Sequence, residues 1–274
     1  MTPSRRHTPR VAPAATPPAP ARDLEGMLRR LHLPTVRRLY PDLATRAESE
    51  GMTYHTYLET LIAEEIAHRA ETRLTRAVRK ARFPFLRTID DFNFTFQTAL
   101  KLQMLGSYLG PELVSEGKNA IFSGPSGTGK SHLCIAIAYR AIQHGYDARF
   151  VGADTLIGEL SHAAAKGRLA RALEPYLHPH VLVIDELGYL SHAIDAANVL
   201  YRVINDRYLA RRPMLLTTNK PLAALGDVLH DGDLAEAIVD RLLERGVHFT
   251  MRGRSYRTRH LTPEEEPTRR TKTA

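Results

Sequence analysis

The chain has 274 residues, enough for one sizeable core with a smaller domain attached. Its 43% hydrophobic and 25% charged residues are ordinary for a globular protein. The single cysteine, Cys134, excludes an internal disulfide framework, and no apolar run approaches the ~18 residues of a membrane span or forms a signal-peptide core. The protein is therefore expected in the cytoplasm with no membrane partner, and its net charge of +8 and pI near 9.7 point to a polyanion, nucleic acid first.

Residues 1–22 hold six prolines, four arginines and no acid, and read as a disordered basic tail. From Leu24 to about Arg82 the pattern is helical. Leu28, Leu31 and Leu33 precede a turn at Pro34, and Val36, Leu39, Tyr40 and Leu43 follow. A longer helix is predicted from about Thr56, with Leu58, Leu61, Ile62, Ile66, Leu74 and Val78 as its apolar stripe. Its second half carries Arg69, Arg73, Arg76, Arg79, Lys80 and Arg82 against a single acid, Glu71. Helical spacing puts Arg69, Arg73, Arg76 and Lys80 on one face. A solvated face normally mixes its signs, so phosphate contact is the preferred reading of this one.

Pro84 is expected to end that helix, and Thr88-Ile-Asp-Asp-Phe-Asn-Phe-Thr-Phe96 links residues 23–87 to a second domain over 88–262, followed by a polar tail over 263–274. From Leu100 onward helical stretches alternate with strands at 119–123, 148–152, 181–185, 214–218 and 247–251. That alternation predicts an α/β fold: a parallel sheet sandwiched by helices. After the first strand comes Gly124, Pro125, Ser126, Gly127, Thr128, Gly129, Lys130 and Ser131, which leads into the helical His132-Leu-Cys-Ile-Ala-Ile-Ala-Tyr139. Glycines let backbone fold around phosphates, the N–H groups and helix dipole favour the anion, Lys130 reaches the outer phosphates and Ser131 can hold Mg²⁺. A nucleoside triphosphate is the expected ligand.

The stretch Asp154 to Arg171 predicts two short helices broken at Gly167, with Lys166, Arg168 and Arg171 near the break. This is either an ordinary crossover or a second surface facing nucleic acid. Val181-Leu-Val-Ile-Asp185-Glu186 then reads as a central strand delivering two acids to its carboxyl end. Asp185 suits an Mg²⁺ held through water, and Glu186 suits a water that attacks the γ-phosphate. Met214-Leu-Leu-Thr-Thr218 ends at Asn219, a neutral amide able to help place that water. Arg241, on a helix predicted over Leu234 to Glu244, reads from its own neighbours only as an i,i+3 partner of Glu244.

Taken together, these residues resemble the IstB-like family of AAA+ ATPases, transposition helpers encoded by insertion sequences and close to the DnaC-like helicase loaders. The resemblance covers about 24–262. It is carried by Lys80-Ala-Arg-Phe-Pro84, Asp90-Asp-Phe-Asn-Phe94, the Gly124–Ser131 loop, Ile184-Asp-Glu-Leu-Gly-Tyr-Leu190, Thr217-Thr-Asn219, Asp240-Arg-Leu-Leu243 and Gly253-Arg-Ser-Tyr-Arg257. It implies that Arg241, or Arg245 one turn on, enters a neighbouring subunit's ATP site, and that Arg257 lies near the nucleotide. It also implies an AAA+ domain without a full C-terminal lid, since residues 220–262 are too few for one. The expected function is an Mg²⁺-dependent ATPase that oligomerises on duplex DNA and delivers target sites to a transposase. A DnaC-like loader is the alternative, although loaders often carry an N-terminal helicase-binding module and one cysteine excludes a cysteine-based zinc version. A non-hydrolysing adaptor is a third reading, and one that would not need Glu186.

Overall fold

The computed structural model describes residues 23–188 and 195–260. The expected tails over 1–22 and 263–274 lie outside the described residues, as do Tyr189 and Leu190 of the acidic-strand motif. Contacts divide the chain into two compact units, residues 1–71 and 72–274, a division that falls inside the third helix rather than after residue 87.

In the first unit, α1 (Leu24–Arg30) is capped by Asp23, whose carboxylate accepts from Gly26 N at 2.9 Å. The helix α2 (Pro34–Glu50) starts on a proline, where no N–H is needed, and stops at Gly51 in the left-handed conformation. The third helix, α3 (Tyr54–Ala81), begins two residues before the expected Thr56, because Thr53 Oγ1 accepts from Thr56 N and opens it early. Leu28, Val36 and Leu61 form the small core, with Leu33, Leu39, Tyr40, Leu43 and Tyr57 packed against them. Glu65 is buried because its carboxylate takes the N–H groups of Thr35 and Val36, at 2.9 and 3.1 Å, and so caps α2 from α3.

The second unit opens with the end of α3, whose Leu74, Ala77, Val78 and Ala81 pack into its core. The helix ends at Ala81, ahead of Pro84: Arg82 turns left-handed (φ 57°), and the residue before a proline avoids helical geometry. Beyond the linker come a 3₁₀ turn at Leu102–Leu105 and the single turns α4 (Gly106–Leu109) and α5 (Glu112–Ser115). Then follow β1 (Asn119–Ser123), α6 (Lys130–Gln143), β2 (Ala148–Gly152), α7 (Ala153–Ala165), α8 (Leu169–Leu177) and β3 (Val181–Asp185). The chain continues through α9 (Ala196–Leu209), β4 (Met214–Thr218), α10 (Leu225–Leu229), α11 (Gly232–Glu244) and β5 (Gly246–Thr250), then a 3₁₀ turn at Tyr256–Thr258. Four strands coincide with the predicted segments, and the fifth is one residue earlier because Asn119 N is taken by Arg245 O, which starts the pairing at Gly246.

All pairings are parallel and the order is β2-β3-β4-β1-β5. Strand alternation splits the apolar residues between two faces. Ile121, Leu182, Ile184 and Leu216 face α7, α8, α9 and α11, whereas Ala120, Phe122, Val183 and Leu215 face α6 and the end of α3. Both faces are therefore covered, as parallel sheets require. Two buried polar residues set where strands begin. Asn119 accepts from Met214 N at 2.9 Å and donates to Leu242 O at 3.2 Å, so it fixes β1 against β4 and α11. Arg207 on α9 donates to Tyr176 O, Pro179 O, His180 O and Pro213 O at 2.8 to 2.9 Å, closing the turns that lead into β3 and β4. Because β3, β4 and β1 are adjacent, Asp185, Asn219 and Gly124 emerge side by side at the carboxyl ends of the strands.

Candidate functional site

The Gly124–Ser131 loop bridges β1 and α6 and is fixed by neighbours on every side. Gly124 N donates to Thr218 O, Tyr256 N to Gly127 O, and the Thr128 hydroxyl to Pro125 O. Gly124 has φ 139°, and a Cβ there would sit 2.2 Å from Met251 O; Gly127 has φ 78°, and its Cβ would meet Ser255 Oγ at 2.0 Å. Only glycine satisfies both the dihedral and the space. The Lys130 ammonium donates to Gly124 O and Pro125 O at 2.8 and 2.7 Å. Burial lowers its pKa, against the opposing pull of Asp185.

Hydroxyls tie Asp185 to the loop and both acidic residues to β4. Ser131 Oγ donates to Asp185 Oδ1 at 2.8 Å, and Thr217 Oγ1 donates to the same oxygen. Thr217 Oγ1 also accepts from Glu186 N at 2.9 Å, and Glu186 adopts the left-handed conformation, φ 61°. That conformation is uncommon for a residue with a Cβ and turns the chain sharply as it leaves the sheet. Asn219 Oδ1 is buried without a partner among the described residues, and a Cβ on Gly188 would lie 2.0 Å from it. A cavity of about 270 Å³ gathers Ser126, Gly127, Gly129, Lys130, Ser131, Glu186, Thr217 and Asn219.

Arg257 lines the same cavity. So do residues that sequence reasoning missed: Phe85, Arg87, His132 and Tyr256. The linker over 85–97 crosses the loop. Phe92 lies under Gly129, His132 Nε2 is 2.9 Å from Thr88 O, and Gln97 Nε2 donates to Thr128 O at 3.3 Å. Burial lowers the His132 pKa, against the opposing effect of its hydrogen bond with Thr88 O. The phenylalanines of the linker were a signal for packing, but nothing in their spacing showed what they would pack against. Thr217 was equally silent, a β-branched residue in a strand until its hydroxyl is seen between two acids.

Other predicted residues lie elsewhere. Arg241 is outside this cavity and pairs not with Glu244 but with Asn205 Oδ1, Ala237 O and Tyr201 OH. Glu244 instead accepts from the Tyr208 hydroxyl, and Arg245 stacks on the Tyr208 ring, 4.6 Å from Cζ to centroid. In the first unit Arg69 is engaged by Glu65 and by His32 O. In the second, Lys80 pairs with Asp147 at 3.2 Å, while Arg73, Arg76 and Arg79 are exposed. Lys166, Arg168 and Arg171 are exposed around Gly167, which breaks α7 from α8 at φ 66°.

The donor set fits a nucleoside triphosphate with a divalent cation. The loop presents N–H groups and an ammonium to an anion, and Ser131 with Asp185 offers the hard oxygen ligands that Mg²⁺ prefers. The orphaned Asn219 oxygen needs a donor that no described residue supplies.

Comparison with known proteins agrees with this chemistry. The model of the IstB-like ATP binding protein family matches residues 26–263. The chain belongs to that family. A relative in Geobacillus stearothermophilus, an ATP-binding protein assigned to insertion sequence IS5376, is 34% identical over 86% of this chain and 94% of its own length. A second, assigned to IS21 of Pseudomonas aeruginosa, is 32% identical over 86% of this chain and 88% of its own. Among solved structures, the crystal structure of DnaI superposes with a TM-score of 0.51 at 19% identity, covering 64% of this chain and 93% of that one. That likeness concerns the fold alone. No described helix is long and apolar enough to cross a membrane.

Proposed function

We propose that this IstB-like protein is an Mg²⁺-dependent ATPase whose turnover governs its assembly on duplex DNA, and that it delivers target DNA to a partner transposase. The observation that carries the ATPase reading is the continuous network Ser131–Asp185–Thr217–Glu186, with the Asn219 oxygen unpartnered among the described residues, at the carboxyl ends of adjacent strands. Mg²⁺-ATP, when bound, supplies the phosphoanhydride whose terminal phosphoryl group passes to water. The loop N–H groups and Lys130 hold phosphate oxygens, and Ser131 and Asp185 would hold the cation. Glu186 accepts a hydrogen bond from the attacking water and polarises it, and the Asn219 amide at the end of the neighbouring strand helps to place that water. Arg241 acts on the site of a neighbouring copy, which makes turnover depend on assembly.

The DNA and transposase parts rest on the family, on the insertion-sequence names of the relatives and on the exposed basic residues of α3 and the α7–α8 turn. The deciding test uses Glu186→Gln, which keeps size and hydrogen-bonding capacity but loses the base. Its binding to duplex and single-stranded DNA of equal length is measured with ATP and without nucleotide. The expected result is negligible hydrolysis and a persistent ATP-dependent assembly that prefers duplex. Normal hydrolysis would remove Glu186 from its role, and a preference for single strands would turn the reading to a helicase loader.

A further inference from the structure

Arg241 is held in an unusual way for a surface arginine. Its Nε donates to Asn205 Oδ1 at 3.1 Å, Nη1 to Ala237 O at 3.0 Å and Nη2 to Tyr201 OH at 3.0 Å, while its Cζ lies 4.9 Å from the Tyr201 ring centroid. An arginine carries five N–H donors. Three are used, so one on each terminal nitrogen remains, and the half-buried guanidinium is fixed with both of these unspent.

The partners are also all neutral. An amide, a carbonyl and a phenol orient the group without cancelling its charge, whereas a carboxylate would orient and neutralise it together. A carboxylate was available in Glu244, one turn along the same helix, but it is engaged by Tyr208. No ion pair to Arg241 exists among the described residues. The group thus has a fixed direction, a charge that no described carboxylate offsets and two donors left over. Those are the properties required to meet an anion from outside this subunit, with little side-chain entropy left to lose.

We propose that Tyr201 and Asn205 on α9 are positioning residues that preset Arg241 for the phosphate site of a second copy of this chain. The inference rests on the proposed trans role of Arg241 and adds the device that holds it. Arg245 is set apart from that device: its Nη2 donates to Tyr208 O and its Cζ stacks on the Tyr208 ring, so it is held against the last turn of α9.

The test is turnover in mixed assemblies on duplex DNA. Tyr201→Phe/Asn205→Ala removes two anchors and leaves the subunit's own phosphate loop and acids intact. Alone, it should hydrolyse ATP at least tenfold more slowly than wild type, at unchanged ATP affinity and unchanged melting temperature. Mixed one to one with Glu186→Gln, which has a dead site but a well-held Arg241, it should recover turnover to about a quarter of wild type. That is the share of neighbour pairs in which an intact site faces an intact arginine, for random head-to-tail packing. Arg241→Ala mixed in the same way is the control. If Arg241→Ala is rescued but the double variant alone runs at the wild-type rate, or is slow and not rescued, the positioning role is wrong while the trans arginine stands. If Arg241→Ala itself is not rescued, the trans reading and the inference built on it both fall.

Discussion

Thr217 shows how one hydroxyl can decide the geometry of a site. It donates to Asp185 and accepts from Glu186 N, so both acids are referenced to β4 rather than only to their own strand. The left-handed turn at Glu186 costs about 1–3 kcal/mol, which such tertiary bonds must offset. Thr217→Val preserves shape but leaves the Glu186 N–H without its acceptor. The expected outcome is a loss of about ten- to a hundredfold in kcat with KM for ATP changed by less than about threefold, read by steady-state hydrolysis. An equal rise in KM would mean that Thr217 serves binding instead. The phosphate loop and the two acids were legible in the sequence because their chemistry depends on residue types at short, fixed spacings. Thr217 and the anchors of Arg241 were not, since they come from segments far apart in the chain, and the role of His132, next to the loop, was hidden because its partner Thr88 lies far upstream.

At the scale of elements, the strand positions were readable because parallel strands buried on both faces are short apolar runs. Boundaries failed where a distant or local polar contact outweighed propensity, as at Thr53 for the start of α3 and at Arg245 O for the start of β5. Arg207 is the extreme case: a charged residue in a helix, expected on a surface, is fully buried and holds four carbonyls together. Its planar fork reaches groups on two turns at once, which no other side chain does. Arg207→Met should destabilise the second unit by roughly 3–5 kcal/mol, because buried carbonyls lose their donors. Thermal unfolding should show this as a fall of about 10 °C in Tm. A fall below about 2 °C would make those carbonyls satisfied by other means. Arg207→Lys should recover little of the loss, since three donors on one atom cannot span the same acceptors.

Across the whole molecule, the net charge of +8 says that a polyanion is attractive but not where it binds. Tertiary structure sorts the basic residues of α3. Arg69 is matched by Glu65 one turn earlier on the same helix, Lys80 by Asp147, an acid too far away in sequence for the helix pattern to reveal, and Arg73, Arg76 and Arg79 stay exposed. Neutralising those three together should weaken duplex binding and flatten the plot of log K against log salt by about 2–3 units of slope. Neutralising Lys80 alone should change it by less than one, as its charge is already shared with Asp147. An unaltered slope in the triple variant would make this stretch a solvated face. The two-faced α/β core was legible from alternation alone; the placing of the divide inside α3 was not, because nothing in the helical pattern changes between Glu71 and Thr72.

The crowding around Gly124 bears on how such a chain changes over generations. The obstacle to any larger residue there is Met251 O, an atom of the protein's own backbone, so selection for folding alone would keep the glycine. Ser126, exposed on the same loop, is under no such restraint. A descendant that had abandoned nucleotide chemistry would therefore still display part of the glycine pattern, a fossil of the fold and not of the activity. In such lineages the retention of Glu186 and Asn219, whose left-handed conformation and oxygen unpartnered among the described residues both cost the fold, would be the mark of the proposed ATP turnover.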